Sequence, residues 1–299
     1  MIGIDWGTSS FRAYRMETAT GAVLDRLETG QGILEVPPGG FPDALRAAIG
    51  PWLAAAGGPP LVLLCGMVGS RQGWVEAPYL ACPAGPAEIA RSLTPVAFEG
   101  AGRCLLVPGL SSADPAGVPD VMRGEETKLV GLLAEIGGAD ALASLPGTHS
   151  KWARISGARV AGFATHMTGE VRATLLEHSI LGRLASPGAP PSDAAFLRGV
   201  RRAREPGGLL HHLFGTRALG LMGRLAPGET DSYLSGLLIG HEMAAALAEG
   251  APAGPVHLAG SETLCRLYAM AFDAFGLAHR WHEADLAARG LALIARGLA

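Results

Sequence analysis

The stretch Met1-Ile-Gly-Ile-Asp-Trp-Gly-Thr-Ser-Ser-Phe-Arg12 runs from an apolar strand straight into an acid, a glycine and three small hydroxyl residues. Ile2 and Ile4 form the buried side of a strand that ends at Asp5. Gly7 then permits a tight turn in which backbone N–H groups and the hydroxyls of Thr8, Ser9 and Ser10 point together. Converging donors suit anionic oxygens, and a carboxylate at the end of the strand suits a metal ion. Phe11-Arg-Ala-Tyr-Arg15 alternates as a second strand, so the same residues also read as a plain hairpin closed by a type I′ or II′ turn.

The choice between hairpin and phosphate loop is made further along the chain. Strand, glycine-hydroxyl turn, strand, turn, strand occurs at 2–29, with strands at 2–6, 11–17 and 22–29, and again at 141–165. The second copy reads Ala141-Leu-Ala-Ser-Leu145, Pro146-Gly-Thr-His-Ser-Lys151, Trp152-Ala-Arg-Ile155 and Arg159-Val-Ala-Gly-Phe163. Two such turns facing each other would grip a triphosphate from both sides. Only the first copy keeps an acid, which makes Asp5 the metal-side carboxylate, while the second offers Lys151.

Between the copies lie a helix near 41–56 and a buried strand, Leu61–Cys65, that ends in Gly66-Met-Val-Gly69. A Pro- and Gly-rich stretch follows at 70–122, with a short helix near 86–92, a strand at 104–107 and an expected loop or hinge at 111–117. The helix expected at 123–135 carries Glu125 and Glu126 in its first turn, where its dipole favours negative charge. After the second copy come helices at about 168–182, 192–204 and 231–249. Strand Val256–Ala259 then leads through Gly260-Ser-Glu-Thr263 into a helix ending at Phe275, a strand near 279–282 and a closing helix at 284–298. The layout is α/β, with domains expected at 1–112 and 113–299.

Composition narrows the function. With 299 residues, 48% of them hydrophobic, and a net charge of −3, the chain reads as a globular protein with ample core. Arg201-Arg-Ala-Arg204 is too short a basic cluster for nucleic-acid binding. No apolar run approaches a membrane span and no charged leader precedes Ile2, so a cytoplasmic protein is expected. Cys65, Cys82, Cys104 and Cys265 lack metal-site or disulfide-framework spacing and read as buried thiols. Of 24 basic residues only Lys128 and Lys151 are lysines. Ser235-Gly-x-x-x-Gly240 gives a helix face suited to close packing, inside the chain or in a homo-oligomer.

Competing nucleotide motifs fail. The two lysines follow Thr127 and Ser150 and complete no Gly-Lys-Ser/Thr loop, and neither a Rossmann nor a protein-kinase signature occurs. The duplicated meander instead resembles the actin-like, sugar-kinase and Hsp70 ATPase (ribonuclease-H-like) architecture, two domains around an interdomain cleft. In that resemblance Gly7–Ser10 is the first phosphate loop, Gly147, Thr148, His149 and Ser150 belong to the second, and Gly260, Ser261 and Glu262 form the adenosine motif. Carbohydrate kinases of this fold carry their base in a Gly-Asp pair, so Gly124-Glu125 points to Glu125, with Glu126 the other candidate.

Six co-linear motifs sharpen the resemblance: Ile4-Asp-Trp-Gly-Thr8; Gly66-Met-Val-Gly-Ser70 with Gly73-Trp74 and Ala77-Pro-Tyr79; Val121-Met-Arg-Gly-Glu-Glu-Thr127; Pro146-Gly-Thr-His-Ser-Lys-Trp152; Met167-Thr-Gly-Glu170; and Leu234-Ser-Gly-Leu-Leu-Ile-Gly240. Together they resemble the 2-dehydro-3-deoxygalactonokinase family. The resemblance implies ATP-dependent phosphorylation of the 6-hydroxyl of 2-dehydro-3-deoxy-D-galactonate in galactonate breakdown, with Mg²⁺ on Asp5 and Lys151 neutralising charge on transfer. A keto acid needs a cation for its carboxylate, polar partners for its hydroxyls and an aromatic cover for its carbon chain. Met67, Gly69, Ser70, Arg71, Trp74 and Tyr79 supply that kit, and Arg12 or Arg123 adds charge. A kinase for another sugar acid and an actin-like ATP-driven switch without an acceptor are the other readings.

Overall fold

The computed structural model describes residues 1–248, 250–282 and 285–298. The chain opens with β1 (Ile2–Trp6), β2 (Phe11–Met16), β3 (Val23–Thr29), α1 (Phe41–Ala54), β4 (Leu61–Cys65) and β5 (Tyr79–Ala81). Next come α2 (Pro86–Arg91), β6 (Thr94–Pro95), β7 (Arg103–Leu106), β8 (Gly109–Ala113), β9 (Pro119–Met122) and α3 (Glu125–Glu135). The second half holds β10 (Ala141–Leu145), β11 (Ser150–Ser156), β12 (Arg159–His166), α4 (Thr168–His178), α5 (Asp193–Ala203) and α6 (Gly208–Leu221). It closes with α7 (Thr230–Ala246), β13 (Val256–Ala259), α8 (Glu262–Phe275), β14 (His279–His282) and α9 (Leu286–Arg296).

The duplication is visible in the sheets. One runs β3-β2-β1-β4-β7-β6 and another β12-β11-β10-β13-β14, so each meander is extended beyond its first strand by a later one. β1 lies antiparallel to β2 and parallel to β4, and β10 is parallel to β13. This repeated order is the ribonuclease-H-like arrangement of sugar kinases.

Two compact units result. The first comprises 1–140, 153–163 and 283–299, the second 141–152 and 164–282. This division departs from the boundary expected at 112/113. Residues 113–140 stay with the first unit because β8 and β9 pair with each other and α3 packs along α9, which returns from the C-terminus. The first core gathers Ile2, Ile4, Trp6, Phe11, Ile49, Val62 and Leu64; the second gathers Trp152, Phe196, Ile239, Met243, Val256, Tyr268 and Phe272. All four cysteines are free thiols, and no helix among the described residues is long and apolar enough to cross a membrane.

Two expectations need correction. The segment 111–117 is not simply a loop: Ser111–Ala113 complete β8, and Asp114 Oδ1 accepts the Ala116 and Val118 N–H groups, both at 2.9 Å, to turn the chain into β9. With β5 these strands make a third sheet. Helix α6 was not expected, because Leu210, Phe214 and Leu221 are exposed and leave no clean apolar face. The expected helix end at 249 and helix start at 284 lie outside the described residues.

The small-residue face of α7 serves internal packing. A Cβ at Gly236 would stand 1.9 Å from the Phe196 carbonyl oxygen, and one at Gly199 of α5 only 2.1 Å from that of Tyr233. The two helices therefore touch backbone to backbone. Gly236→Ala should lower the unfolding free energy by about 2–3 kcal/mol through overpacking; an unchanged urea midpoint would contradict the close approach.

Candidate active site

In the first unit, strand register places Asp5 opposite Arg12 on β2 and opposite Cys65 on β4. Asp5 is 8% exposed, and Arg12 Nη1 lies 3.8 Å from its Oδ2. Arg12 is otherwise engaged by Glu28, through Nε at 2.8 Å and Nη2 at 2.7 Å. The Gly7–Ser10 turn is closed by the Gly7 N–H on the Ser10 carbonyl at 2.8 Å, with Thr8 and Ser9 exposed. None of its residues has a positive φ, so antiparallel β1 and β2 are joined without the expected I′ or II′ turn.

Immediately after β4, Gly66 takes φ +95°, and a Cβ there would meet Trp6 O at 2.7 Å and Asp5 Oδ1 at 3.2 Å. Gly124, with φ +106°, caps α3, and its Cβ would meet Gly66 Cα at 3.2 Å. These two glycines bring the first turn of α3 to the ends of β1 and β4. The acids are legible in the sequence but this contact is not, and Gly124 directly before them is its only local sign.

The two acids then separate in role. Glu126 is fully buried and accepts the Gly124 N–H at 2.6 Å and the Thr127 hydroxyl at 3.0 Å. Burial, and secondarily the neighbouring Glu125, pushes its pKa up to about 8. It fastens the helix end. Glu125 is half-buried and accepts the Arg123 N–H at 3.1 Å, which leaves it the acid with surface to offer a ligand.

The Met67–Tyr79 segment folds tightly. Ser70 N–H reaches Met67 O, Trp74 N–H reaches Val68 O and Ala77 N–H reaches Gly69 O, at 2.9, 2.8 and 3.0 Å. Met67 and half-buried Trp74 pack against the core, and Trp74 stacks on Phe41 at 6.3 Å and meets Phe98 edge-on at 6.0 Å. Trp74 thus braces the segment from the core side. Tyr79 lies over the Arg123 guanidinium at 4.4 Å, and Arg71 projects into solvent near Glu76.

In the second unit, the Gly147–Ser150 turn leads into β11. Ser150 is buried, its Oγ 2.8 Å from Tyr268 OH, which donates to Glu242 at 2.6 Å; Trp152 Nε1 donates to the same carboxylate at 2.8 Å. Lys151 is 5% exposed, with Nζ donating to Thr165 at 2.8 Å. Both side chains lie beneath the turn, where these bonds hold it to the neighbouring elements. Glu170 N–H binds Thr148 O at 3.1 Å, and the Glu170 carboxylate pairs with the half-exposed His149. Gly260 abuts the turn, since its Cβ would lie 3.4 Å from Pro146 O, and Ser261 and Glu262 are exposed at the start of α8.

Beside that helix start opens a cavity of about 560 Å³, walled by Arg172, Ser192, Asp231, Ser235, Thr263 and Leu267. Arg172 donates to both Asp231 oxygens and to Ser235, so this polar wall is preset. No local motif marks it, because its residues come from α4, α7, α8 and the segment before α5. A broader hollow of about 620 Å³, among Arg198, Arg201, Arg202 and Arg224, contains none of the motif residues.

Comparisons with known proteins agree with this geometry. The family model described as 2-keto-3-deoxy-galactonokinase matches residues 5–294. A Rhizobium meliloti (strain 1021) protein, described as a probable 2-dehydro-3-deoxygalactonokinase, is 41% identical over 99% of this chain and 96% of its own length. The 2-dehydro-3-deoxygalactonokinase of Escherichia coli (strain K12) is 34% identical over 92% of this chain and 90% of its own. A crystal structure from Sinorhizobium meliloti, described as an enzyme of the same kind, superposes with a TM-score of 0.89 at 39% identity, covering 99% of this chain and 97% of that one.

Glu126 should leave a mark on stability. Its folded pKa of about 8 stands above its ordinary 4.5, so between those values the folded state holds a proton that the unfolded state has lost, and stability falls as pH rises through the window. Glu126→Gln should flatten that fall in denaturation midpoints measured from pH 5 to pH 8; an unaltered slope would reject the assignment.

Proposed function

From the premise that this chain belongs to the 2-keto-3-deoxy-galactonokinase family, we propose that it transfers the terminal phosphoryl group of ATP to the 6-hydroxyl of 2-dehydro-3-deoxy-D-galactonate, with Glu125 receiving the hydroxyl proton. The observation that carries this reading is the Gly66–Gly124 contact, which sets Glu125 at the helix end beside the strand ends that hold Asp5. In the reaction the hydroxyl oxygen bonds to phosphorus, the bond to the ADP oxygen breaks, and the proton passes to the Glu125 carboxylate. Such chemistry depends on positioning and charge stabilisation more than on covalent help from the protein.

The roles follow accessibility. Gly7, Thr8, Ser9 and Ser10 bind phosphoryl oxygens, and Gly147, Thr148 and His149 bind the remaining phosphates, with Ser150 and Lys151 fixing their turn. Gly260, Ser261 and Glu262 receive the nucleoside, and the adjoining polar cavity matches a ribose and base in size and hydrogen-bonding character. A single nearly buried carboxylate fits Mg²⁺, which keeps most of its waters and takes one or two protein carboxylates; among the described residues no cluster of three metal-binding side chains competes. When bound, the ion neutralises phosphate charge, and Asp5 holds it in place. An enzyme spending ATP on a catabolic sugar acid works in the cytoplasm.

A kinase acting on a related sugar acid is the next reading, because epimers differ at one hydroxyl and one hydrogen bond can decide between them. A panel of keto-deoxy acids separates the two. With 2-dehydro-3-deoxy-D-galactonate as acceptor, Glu125→Gln should lower kcat at least about 100-fold with little change in the KM for ATP, and Glu126→Gln should lower it far less. ADP release measures both. Turnover of Glu125→Gln within about threefold of the unmodified enzyme would remove Glu125 as base, and acceptor-independent release would favour the switch.

A further inference from the structure

Resting on the kinase reading, we infer that Arg123 recognises the carboxylate of the sugar acid, with Ser70 beside it, and thereby makes the enzyme choose acids over neutral sugars. Three arginines of the first unit are in contention. Arg12 already donates to Glu28 through two nitrogens and has Asp5 at 3.8 Å, so its charge is spent on two acids of the protein. Arg71 has a side chain 88% exposed with Glu76 at 3.6 Å, a solvent-screened arrangement that supplies little binding energy.

Arg123 differs in both respects. It is only 8% exposed, and one of its nitrogens, Nη2, donates to Ala77 O at 2.7 Å. Its Nε and Nη1 are buried without an acceptor among the described residues, and the Ser70 hydroxyl is likewise buried and unpartnered. A buried cation with unmet donors is costly, and folded proteins rarely leave such groups unsatisfied. A carboxylate oxygen accepting from Nη1, the nitrogen at Gly69, relieves part of the deficit, and the guanidinium is well suited to receive such a group.

The surroundings are built for that purpose. Tyr79 covers the guanidinium face at 4.4 Å, which fixes its plane and leaves the in-plane N–H edges to a ligand. A Cβ at Gly69 would stand 3.1 Å from Nη1, so the bare glycine keeps that edge clear. Ser70, whose hydroxyl is the other unpartnered group, directly follows the glycine that borders Nη1. Arg123 is also two residues before Glu125 and donates its backbone N–H to that carboxylate. One short segment then carries both the group that holds the acid end of the substrate and the group that takes the proton from its hydroxyl end.

The test compares 2-dehydro-3-deoxy-D-galactonate with its C1 amide, which keeps every hydroxyl and the keto group but lacks the charge. The expected result is a strong preference of the unmodified enzyme for the acid in kcat/KM. In Arg123→Met that preference should shrink at least about 100-fold, as when one partner of a buried charge pair is removed, while the KM for ATP is kept. Arg123→Lys should restore part of it, and Ser70→Ala should reduce it by about tenfold, the loss of one hydrogen bond to a charged group. Equal losses on acid and amide in Arg123→Met would mean that Arg123 only props up the segment, and would overturn the inference. If Arg123→Met fails to fold, the acid-to-amide ratio in Arg123→Lys and Ser70→Ala decides, and an unchanged ratio in both overturns it. Failure of the unmodified enzyme to phosphorylate the acid would instead overturn the kinase reading.

Discussion

Gly124 meets Gly66 with no side chain between them, and the seating of the first turn of α3 against the ends of β1 and β4 depends on that contact. Parallel pairing of β1 with β4 fixes Asp5 beside Cys65, and the positive φ of Gly66 then turns the chain aside so that α3 can start against the strand ends. A Cβ on Gly124 would press on the Gly66 backbone, and one on Gly66 would run into Trp6 O and crowd the Asp5 carboxylate. The helix is held from its other side by α9, where a Cβ at Gly131 would lie 2.1 Å from Leu286 O and one at Gly290 only 1.9 Å from Thr127 O. The last helix of the chain therefore locks an acid that lies before the midpoint, a contact that the chain makes only once its C-terminus has been synthesised.

The second unit solves the same problem with buried polar groups. Ser150, Tyr268, Glu242 and Trp152 form one hydrogen-bonded chain across β11, α7 and α8. Burial, reinforced by Glu242, holds the Tyr268 phenol well above its ordinary pKa, so it stays protonated and donates. Because Tyr268 belongs to α8, the Gly147–Ser150 turn and the helix that follows Gly260 are fastened to a common residue. Polar networks of this kind are costly if half-satisfied and specific when complete.

What could be read from the sequence follows from how local each signal is. The two meanders were legible because strand, glycine and hydroxyl turn recur in order within about 25 residues, a repeat visible without any tertiary knowledge. The β8–β9 hairpin was hidden by prolines and glycines that argue for loop, and only its pairing partners make it a sheet. That Ser150 and Lys151 are buried was not legible, because a turn motif does not say which face of the following strand points inward. The packing of Trp74 was equally hidden, since its ring partners Phe41 and Phe98 are distant in sequence.

The pairing of two glutamates at the start of α3 also acquires a physical sense. Two charged carboxylates at one helix end would repel and would compete for the same N–H groups, yet Glu126 lies fully inside with its pKa at about 8 and is largely neutral at pH 7. Its oxygens are taken by Gly124 and Thr127, so the Arg123 N–H is left to Glu125. Glu125 folds back onto that N–H, which confines a flexible side chain. Replacing Glu126 by a permanently charged or a small residue would therefore disturb Glu125 without touching it, by adding repulsion in one case and by freeing the Gly124 N–H in the other.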